Sequence, residues 1–351
     1  MGGGSELQLV LLSRHLRAEG WDVAIGYIHP GVHLEGAVAT GAQVEQLEGR
    51  SNYDPAWALR VRRLIRRIKP AIVQTWLPQM DIIGGLMARM AGVPWIVAER
   101  STHPLEGRPI MAFVRDRIMR GATAVISNSD RALARWSQYQ PSVRQFHIPN
   151  AISLTDIDAV GSSVHVASLR GTDDRKVMVG VGRLIDMKRF DVFIEALKRV
   201  CEVMPAAGLL CGDGPHRPVL EAHARATGVA DRLMFAGFVS DVAADIKSSD
   251  VLVALSEYEG RPNVVLEAMA ARTPLVVSDI PEHREILDAD SATFVVGDHP
   301  DEVAAAILDV FRNRDAAIAR AARARQIAEA WNAPRIAAQY AAVYDQIVSA
   351  K

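Results

Sequence analysis

The sequence has little cysteine: only Cys201 and Cys211 in 351 residues, both in an apolar stretch and without metal-ligand spacing. That excludes a disulfide-stapled scaffold and a cysteine zinc site, and it fits a reducing compartment. No apolar run approaches the roughly 18 residues that a membrane-spanning helix needs. Aromatic residues make up 6% of the chain and are not interleaved with its arginines, so nucleic acid is not expected as a partner. His29 and His33 stand four apart, but Pro30 and Gly31 between them prevent a shared helical face for a metal. Internal repeats, low-complexity tracts and a signal peptide are also missing, and the expected location is the cytoplasm. A further absence lies at the start, where "MGGGSELQLV" sets three glycines before an amphipathic helix with no strand ahead of them. In a βαβ unit such glycines follow a strand and bring bare N–H groups to a ligand. The expectation is an N-terminal sheet short of its first strand, with translation beginning upstream.

What is present is a rhythm. Strand-like runs ("DVAIGYI", "AIVQTW", "PWIVAE", "TAVISNS") alternate with helical patterns, which predicts parallel sheet with crossover helices. After residue 150 the pattern dissolves into a polar stretch, read as an interdomain linker over 151–176, and it resumes at "VMVGVG". The predicted fold is therefore α/β, with two doubly wound Rossmann-like domains. The first covers 1–150 and the second 177–330, and a C-terminal helix over 331–351 is expected to cross back to the first. The net charge of -1 conceals an asymmetry: residues 1–150 carry 18 Lys and Arg against 12 Asp and Glu, leaving 22 against 29 for the remainder. A basic half points to an anionic partner. Within the run from Arg60 to Lys69, Val61, Leu64, Ile65 and Ile68 fall at helical spacing toward a sheet. Arg60, Arg62, Arg63, Arg66, Arg67 and Lys69 are left outside. Arg115, Arg117 and Arg120 in "PIMAFVRDRIMRG" extend that charge. Two readings stand, a solvated basic face and peripheral contact with an anionic membrane surface at the inner face of the cell membrane.

In such sheets ligands sit outside the carboxyl ends of the strands. The richest loop there is in "DVLVALSEYEGRPNVVLEAMAARTPLVVSD", residues 250–279. Pro262 and Asn263 open a helix, and the amides of Gly260, Asn263 and Val264 form an anion seat at the positive end of its dipole. Glu267, one turn in, is unsuited to the anion and suited to hydroxyls such as a ribose diol. A solvated helix residue is the plainer alternative.

Glu259 and Glu267, spaced as in "EGRPNVVLE", resemble the E-x7-E motif of retaining GT-B glycosyltransferases of family 4 (glycosyl transferases group 1). "VGVGRLIDMKRFDVFIEAL", "LLCGDGP", "FAGFVSDVAADIKSSDVLV" and "PLVVSDIPEHREIL" follow in that family's order, and "HIPNAIS" and the opening glycine segment extend the likeness. Ser153 stands where relatives usually carry an acid. The resemblance implies transfer of a sugar from a UDP- or GDP-sugar to a hydroxyl of a glycan, lipid-linked or polysaccharide-precursor acceptor. It implies retention of anomeric configuration and no obligatory cofactor or metal. Arg183 and Lys188 are then expected at the two phosphates, with Gly180 and Gly182 allowing close backbone approach. Glu259 is expected at the donor sugar, Glu267 at the ribose, and Phe238 and Val239 at the base. His103 or Arg100, in the loop after "PWIVAE", is expected to contact donor or acceptor, with His103 the catalytic candidate, and His283 with Glu285 lies near the donor or caps a helix. The alternatives are a nucleotide-sugar epimerase of the same architecture, or a nucleotide-sugar-binding protein without turnover if the first strand is absent. An NAD-dependent dehydrogenase fits poorly, since "GGGSE" does not match G-x-G-x-x-G.

Overall fold

A computed structural model describes residues 4–47, 49, 54, 56–100, 109–259 and 262–350. The residues group into two compact units, 1–151 with 333–351, and 152–332.

Unit 1 runs α1 (Gly4–Ala18), β1 (Ala24–Tyr27), α2 (Leu34–Ala39), β2 (Gln43–Gln46), α3 (Ala56–Ile68), β3 (Val73–Thr75), α4 (Pro78–Met90), β4 (Trp95–Glu99), α5 (Pro109–Met119), β5 (Ala124–Ser127), α6 (Asp130–Tyr139) and β6 (Arg144–His147). Its strands form two separate parallel sheets, β1-β2 and β3-β4-β5-β6. Each has its own core. Val10, Ile25 and Ala37 pack together on the small sheet, while Val61, Ile65, Met87, Trp95 and Met119 belong to the core of the larger one. Among the described residues the unit opens with helix α1.

Unit 2 begins with α7 (Leu154–Ala159) and α8 (Val164–Arg170) and continues through β7 (Lys176–Val181), α9 (Phe190–Cys201), β8 (Ala206–Cys211), α10 (Arg217–Ala226) and β9 (Leu233–Gly237). Then come α11 (Ala243–Ser248), β10 (Val251–Ala254), α12 (Asn263–Ala271), β11 (Leu275–Ser278), α13 (Pro281–Arg284), β12 (Thr293–Val295), α14 (Pro300–Arg312) and α15 (Arg314–Ala328). A final helix, α16 (Ala333–Ser349), returns to unit 1, where the Tyr344 hydroxyl donates to Gln74 at 2.5 Å. The sheet order is β12-β11-β10-β7-β8-β9, all parallel, so the chain winds outward from β7 and then from β10 in opposite directions. Helices cover both faces: α9, α10 and α14 on one, α7, α8, α11, α12 and α15 on the other. With both faces covered, the strands read as unbroken apolar runs rather than alternating ones. The segment 151–176, expected to be a linker, instead contributes two helices to this core through Leu154, Ile157, Val166 and Leu169. Serines hide them from a periodicity search, because Ser153 and Ser163 serve as N-caps, accepting from the amides of Asp156 and Val166. Ile152 and Asn332, where the chain enters and leaves the unit, pair directly.

One sequence-based expectation is reversed in unit 1. Arg115, placed with Arg117 and Arg120 on an exposed basic face, is 3% exposed and lies in the interior. Its Nε and Nη2 donate to Asp81 and its Nη2 also to Glu99, at 2.7–2.8 Å. Thr75 donates to Asp81 at 2.5 Å, and the Trp95 indole donates to Thr75 at 3.0 Å. Two carboxylates without a cation would strand uncompensated charge, so an arginine is drawn inward although the helix has few apolar residues to offer there. Burial pushes the Asp81 carboxyl up to about 6 against the pull of Arg115, and nearby Glu99 adds to the rise. Because the native state holds this proton more tightly than the unfolded chain, stability from Asp81 is fully present below pH 3.8 and is lost as pH rises through about 6. Arg115→Met is expected to cost about 3–5 kcal/mol in urea unfolding and to move that pH window upward. The exposed Arg117→Met should stay within about 0.5 kcal/mol of the parent. Equal losses for the two variants would show that the buried ion cluster does not hold the helices together.

Candidate nucleotide-sugar site

The strand order of unit 2 reverses between β7 and β10, and an α/β sheet binds its ligand outside the carboxyl ends at such a switch point. Two loops meet there. The β7 loop leaves the strand through Gly182 and Arg183 and makes a single 3-10 turn over Asp186–Lys188. It then enters α9 through Arg189, whose φ of 51° bends the chain. The β10 loop, from Leu255 to Glu259, is fastened to it by a backbone hydrogen bond from the Glu257 amide to the Met187 carbonyl at 3.0 Å. Arg189 adds a side-chain tie to Glu257 at 3.6 Å. A third loop, after β8, joins from the other side: Gly182 donates to the Cys211 carbonyl at 2.9 Å and Leu184 to the Asp213 carbonyl at 3.0 Å. Gly212 permits this approach, since a Cβ there would lie 1.8 Å from the Gly182 carbonyl oxygen.

These ties bring Lys188 and Glu259 together. The Lys188 ammonium donates to Oε1 of Glu259, and the Ser256 hydroxyl donates to the same oxygen at 2.6 Å. Both side chains of the ion pair are largely buried, at 16% and 11% exposure. Behind them, the Ser278 hydroxyl donates to the Ser256 carbonyl at 2.6 Å, and fully buried His283 donates through Nδ1 to the Ser278 carbonyl at 2.8 Å. Burial lowers the His283 pKa, so the ring is neutral, and the accepting carbonyl puts the proton on Nδ1. His283 thus supports the loop from below rather than capping a helix. Ser256 and Ser278 were not legible as site residues, since serines in "ALSEYEG" and "VVSDIPE" carry no spacing signal.

α12 opens directly after this loop, with Pro262 as its N-cap, so Asn263 and Val264 stand in its first turn. The N–H groups of a first turn have no partner within the helix and favour an anion. Glu267 lies one turn further on and has no hydrogen-bond partner among the described residues. Burial, with the nearby charge of Asp241, pushes its carboxyl up to about 7. A half-buried carboxyl with a raised pKa and no internal partner is the kind of group a ligand satisfies. Arg183 is exposed and Phe238 and Val239 follow β9 at the same edge of the sheet, with Phe238 half exposed. Gly260 and His103 lie outside the described residues.

Unit 1 carries its own cluster at the carboxyl ends of β3 and β4. The Arg100 guanidinium donates to Asn150 at 2.9 Å and to the Tyr340 hydroxyl of α16, and it stacks on Trp76 at 4.7 Å. Asn128, after β5, donates to the same Asn150 oxygen at 2.8 Å. Among the described residues no three His, Cys, Asp or Glu side chains are grouped to hold a metal ion.

Residues 165–330 match the family model of glycosyl transferases group 1, and residues 2–156 match that of glycosyltransferase family 4. The chain is 30% identical over 269 residues to the α-D-kanosaminyltransferase of Streptomyces kanamyceticus, covering 68% of this chain and 67% of that one. It is 26% identical over 235 residues to an Escherichia coli α-1,3-galactosyltransferase that uses UDP-Gal and an α-D-GlcNAc-diphosphoundecaprenol acceptor, covering 62% and 60% of the two. The fold matches the Anabaena HepE structure in complex with UDP and glucose at a TM-score of 0.85 and 18% identity, over 98% of this chain and 96% of the other. The chain belongs to glycosyltransferase family 4, the group 1 glycosyl transferases of GT-B architecture.

Proposed function

We propose that this transferase moves a sugar from a UDP- or GDP-sugar to an acceptor hydroxyl with retention of anomeric configuration, and that unit 2 holds the donor. The observation that carries the reading is the convergence of Lys188, Glu259 and the opening of α12 at the switch point of one sheet. Bond breaking at the anomeric carbon leaves its electron pair on the diphosphate. In this reading Arg183, Lys188 and the first-turn amides of Asn263 and Val264 stabilise the charge as it develops. Gly182 lets the backbone approach the phosphates. Glu259, already oriented by Lys188 and Ser256, accepts from hydroxyls of the donor sugar. Glu267 accepts from the ribose hydroxyls, and Phe238 and Val239 flank the base. The acceptor lies against unit 1, where Arg100 follows β4, and His103 is the further contact expected from the sequence. A lipid-linked or polysaccharide-precursor acceptor is the class we favour, supported by the diphosphoundecaprenol substrate of the E. coli relative.

Lys188→Ala is expected to lower kcat by about 100-fold or more, since it removes a cation aimed at the leaving group. Turnover with UDP- and GDP-sugars measures it, and product formed from donor alone would point to epimerisation instead. The anomeric configuration of the product, read by NMR, tests retention directly. Glu267→Gln should weaken UDP or GDP binding about ten-fold in calorimetry, the cost of one charge-assisted hydrogen bond. The same substitution alters stability in the free protein. Glu267 in the native fold is raised to about 7 from 4.5, so its contribution is present below pH 4.5 and lost as pH rises through about 7. Glu267→Gln removes that loss, and its melting temperature should fall less between about pH 5 and pH 8 than that of the parent. Unchanged nucleotide affinity would remove Glu267 from the ribose site.

A further inference from the structure

The three cations of the β7 loop are not in the same state. Arg183, where the loop leaves its strand, is exposed and makes no ion pair among the described residues. Arg189, where the loop enters α9, is taken up by Asp191 at 3.3 Å and by Glu257 at 3.6 Å. Lys188 is taken up by Glu259, and that pair is largely withdrawn from water. The Lys188 stem lies against Gly182, where a Cβ would come within 3.3 Å of its Cε and 3.5 Å of its Cδ. The bare Cα of Gly182 therefore leaves a flexible four-carbon stem room to swing.

Two roles compete for one ammonium. In the reading proposed above Lys188 serves a phosphate and Glu259 serves the donor sugar, yet in the free fold each is engaged by the other. A phosphate brought to Lys188 would stand beside the carboxylate, and two like charges around one half-buried cation repel. A partner exchange resolves the conflict: Lys188 passes from the carboxylate to the phosphate. Ser256 stays on Oε1 of Glu259 and is itself held by Ser278, which donates to its carbonyl at 2.6 Å. Glu259 thus keeps its place after the lysine has left.

We propose that the Lys188–Glu259 pair selects for a diphosphate, keeping the charge of Glu259 neutralised until a second phosphate draws Lys188 away. A single phosphate is satisfied at Arg183, which has no carboxylate to give up. Only a ligand with a second phosphate reaches Lys188 as well and supplies the anion that replaces Glu259. Sugar hydroxyls then meet a carboxylate released in the same step, whereas a nucleoside monophosphate or a free sugar leaves the pair closed. The selector rests on the reading that unit 2 holds the donor, and it adds the order in which the donor's contacts become available.

Calorimetry with UDP and GDP identifies the nucleotide that binds the parent, and the matching monophosphate is titrated alongside. Glu259→Gln keeps an oxygen for Ser256 but offers no charge to Lys188. It should bind the diphosphate about ten-fold more tightly than the parent and the monophosphate within about two-fold of it. Its kcat with the nucleotide-sugar should fall, so that one variant combines tighter nucleotide with slower turnover. Lys188→Ala combined with Glu259→Gln should bind the diphosphate as weakly as Lys188→Ala alone, because the gain needs the lysine. Ser256→Ala leaves the ion pair in place, so diphosphate affinity should stay within about two-fold while kcat falls about ten-fold. Unchanged or weaker diphosphate binding by Glu259→Gln overturns the selector and leaves the transferase reading standing. So does an equal gain for the monophosphate, a gain that survives in the double variant, or a loss of diphosphate affinity in Ser256→Ala that matches its loss of kcat. A parent that binds neither UDP nor GDP overturns the selector together with the reading on which it rests.

Discussion

The carboxyl edge of unit 2 depends on one backbone hydrogen bond, from the Glu257 amide to the Met187 carbonyl. Lys188 and Glu259 are 71 positions apart in sequence and belong to the loops of two different strands. Adjacent β7 and β10 bring those loops to the same edge, but strand pairing alone does not fix their tips. That hydrogen bond does so through the main chain, with Arg189 adding a tie to Glu257, which leaves the lysine and the glutamate to face each other. Ser256, Ser278 and His283 then form a polar ladder beneath the carboxylate. Each rung satisfies a group that would otherwise be buried without a partner, so the ladder fixes one arrangement rather than several.

The alternation of apolar runs was enough to read the α/β class, because helices on both faces force nearly continuous hydrophobic strands. Arg183, Lys188, Glu259 and Glu267 were singled out through a resemblance carried by a glycine-led loop and a proline-opened helix, marks that packing does not erase, and their roles at the donor are proposals. What escaped was decided by partners distant in the chain. Arg115 reads as a surface residue until Asp81 and Glu99 are seen behind it. α7 and α8 read as linker, since six or seven residues with serine caps show too little periodicity to register. The lower rungs of the ladder, Ser256 and Ser278, have no sequence signature at all.

The two units solve similar packing problems with different means. Unit 2 encloses a six-stranded sheet between two apolar layers, and its ionic contacts lie mainly at loops and helix ends. Unit 1 has two smaller sheets and places a charged cluster where a helix would normally bury leucine or valine. Buried ion pairs rarely add net stability over apolar packing, yet they penalise any arrangement that separates their members. The register of α4, α5 and β4 is therefore set by charge as much as by shape.

The pairing of Ile152 with Asn332 has a consequence for how the chain is made. Unit 2 is inserted into unit 1, and α16 is synthesised only after the whole of the insertion has left the ribosome. Until then Arg100 has no Tyr340 hydroxyl to donate to, and Gln74 has no Tyr344. The first unit to be translated is the last to close, and its final helix arrives as a single late-binding segment carrying both tyrosines.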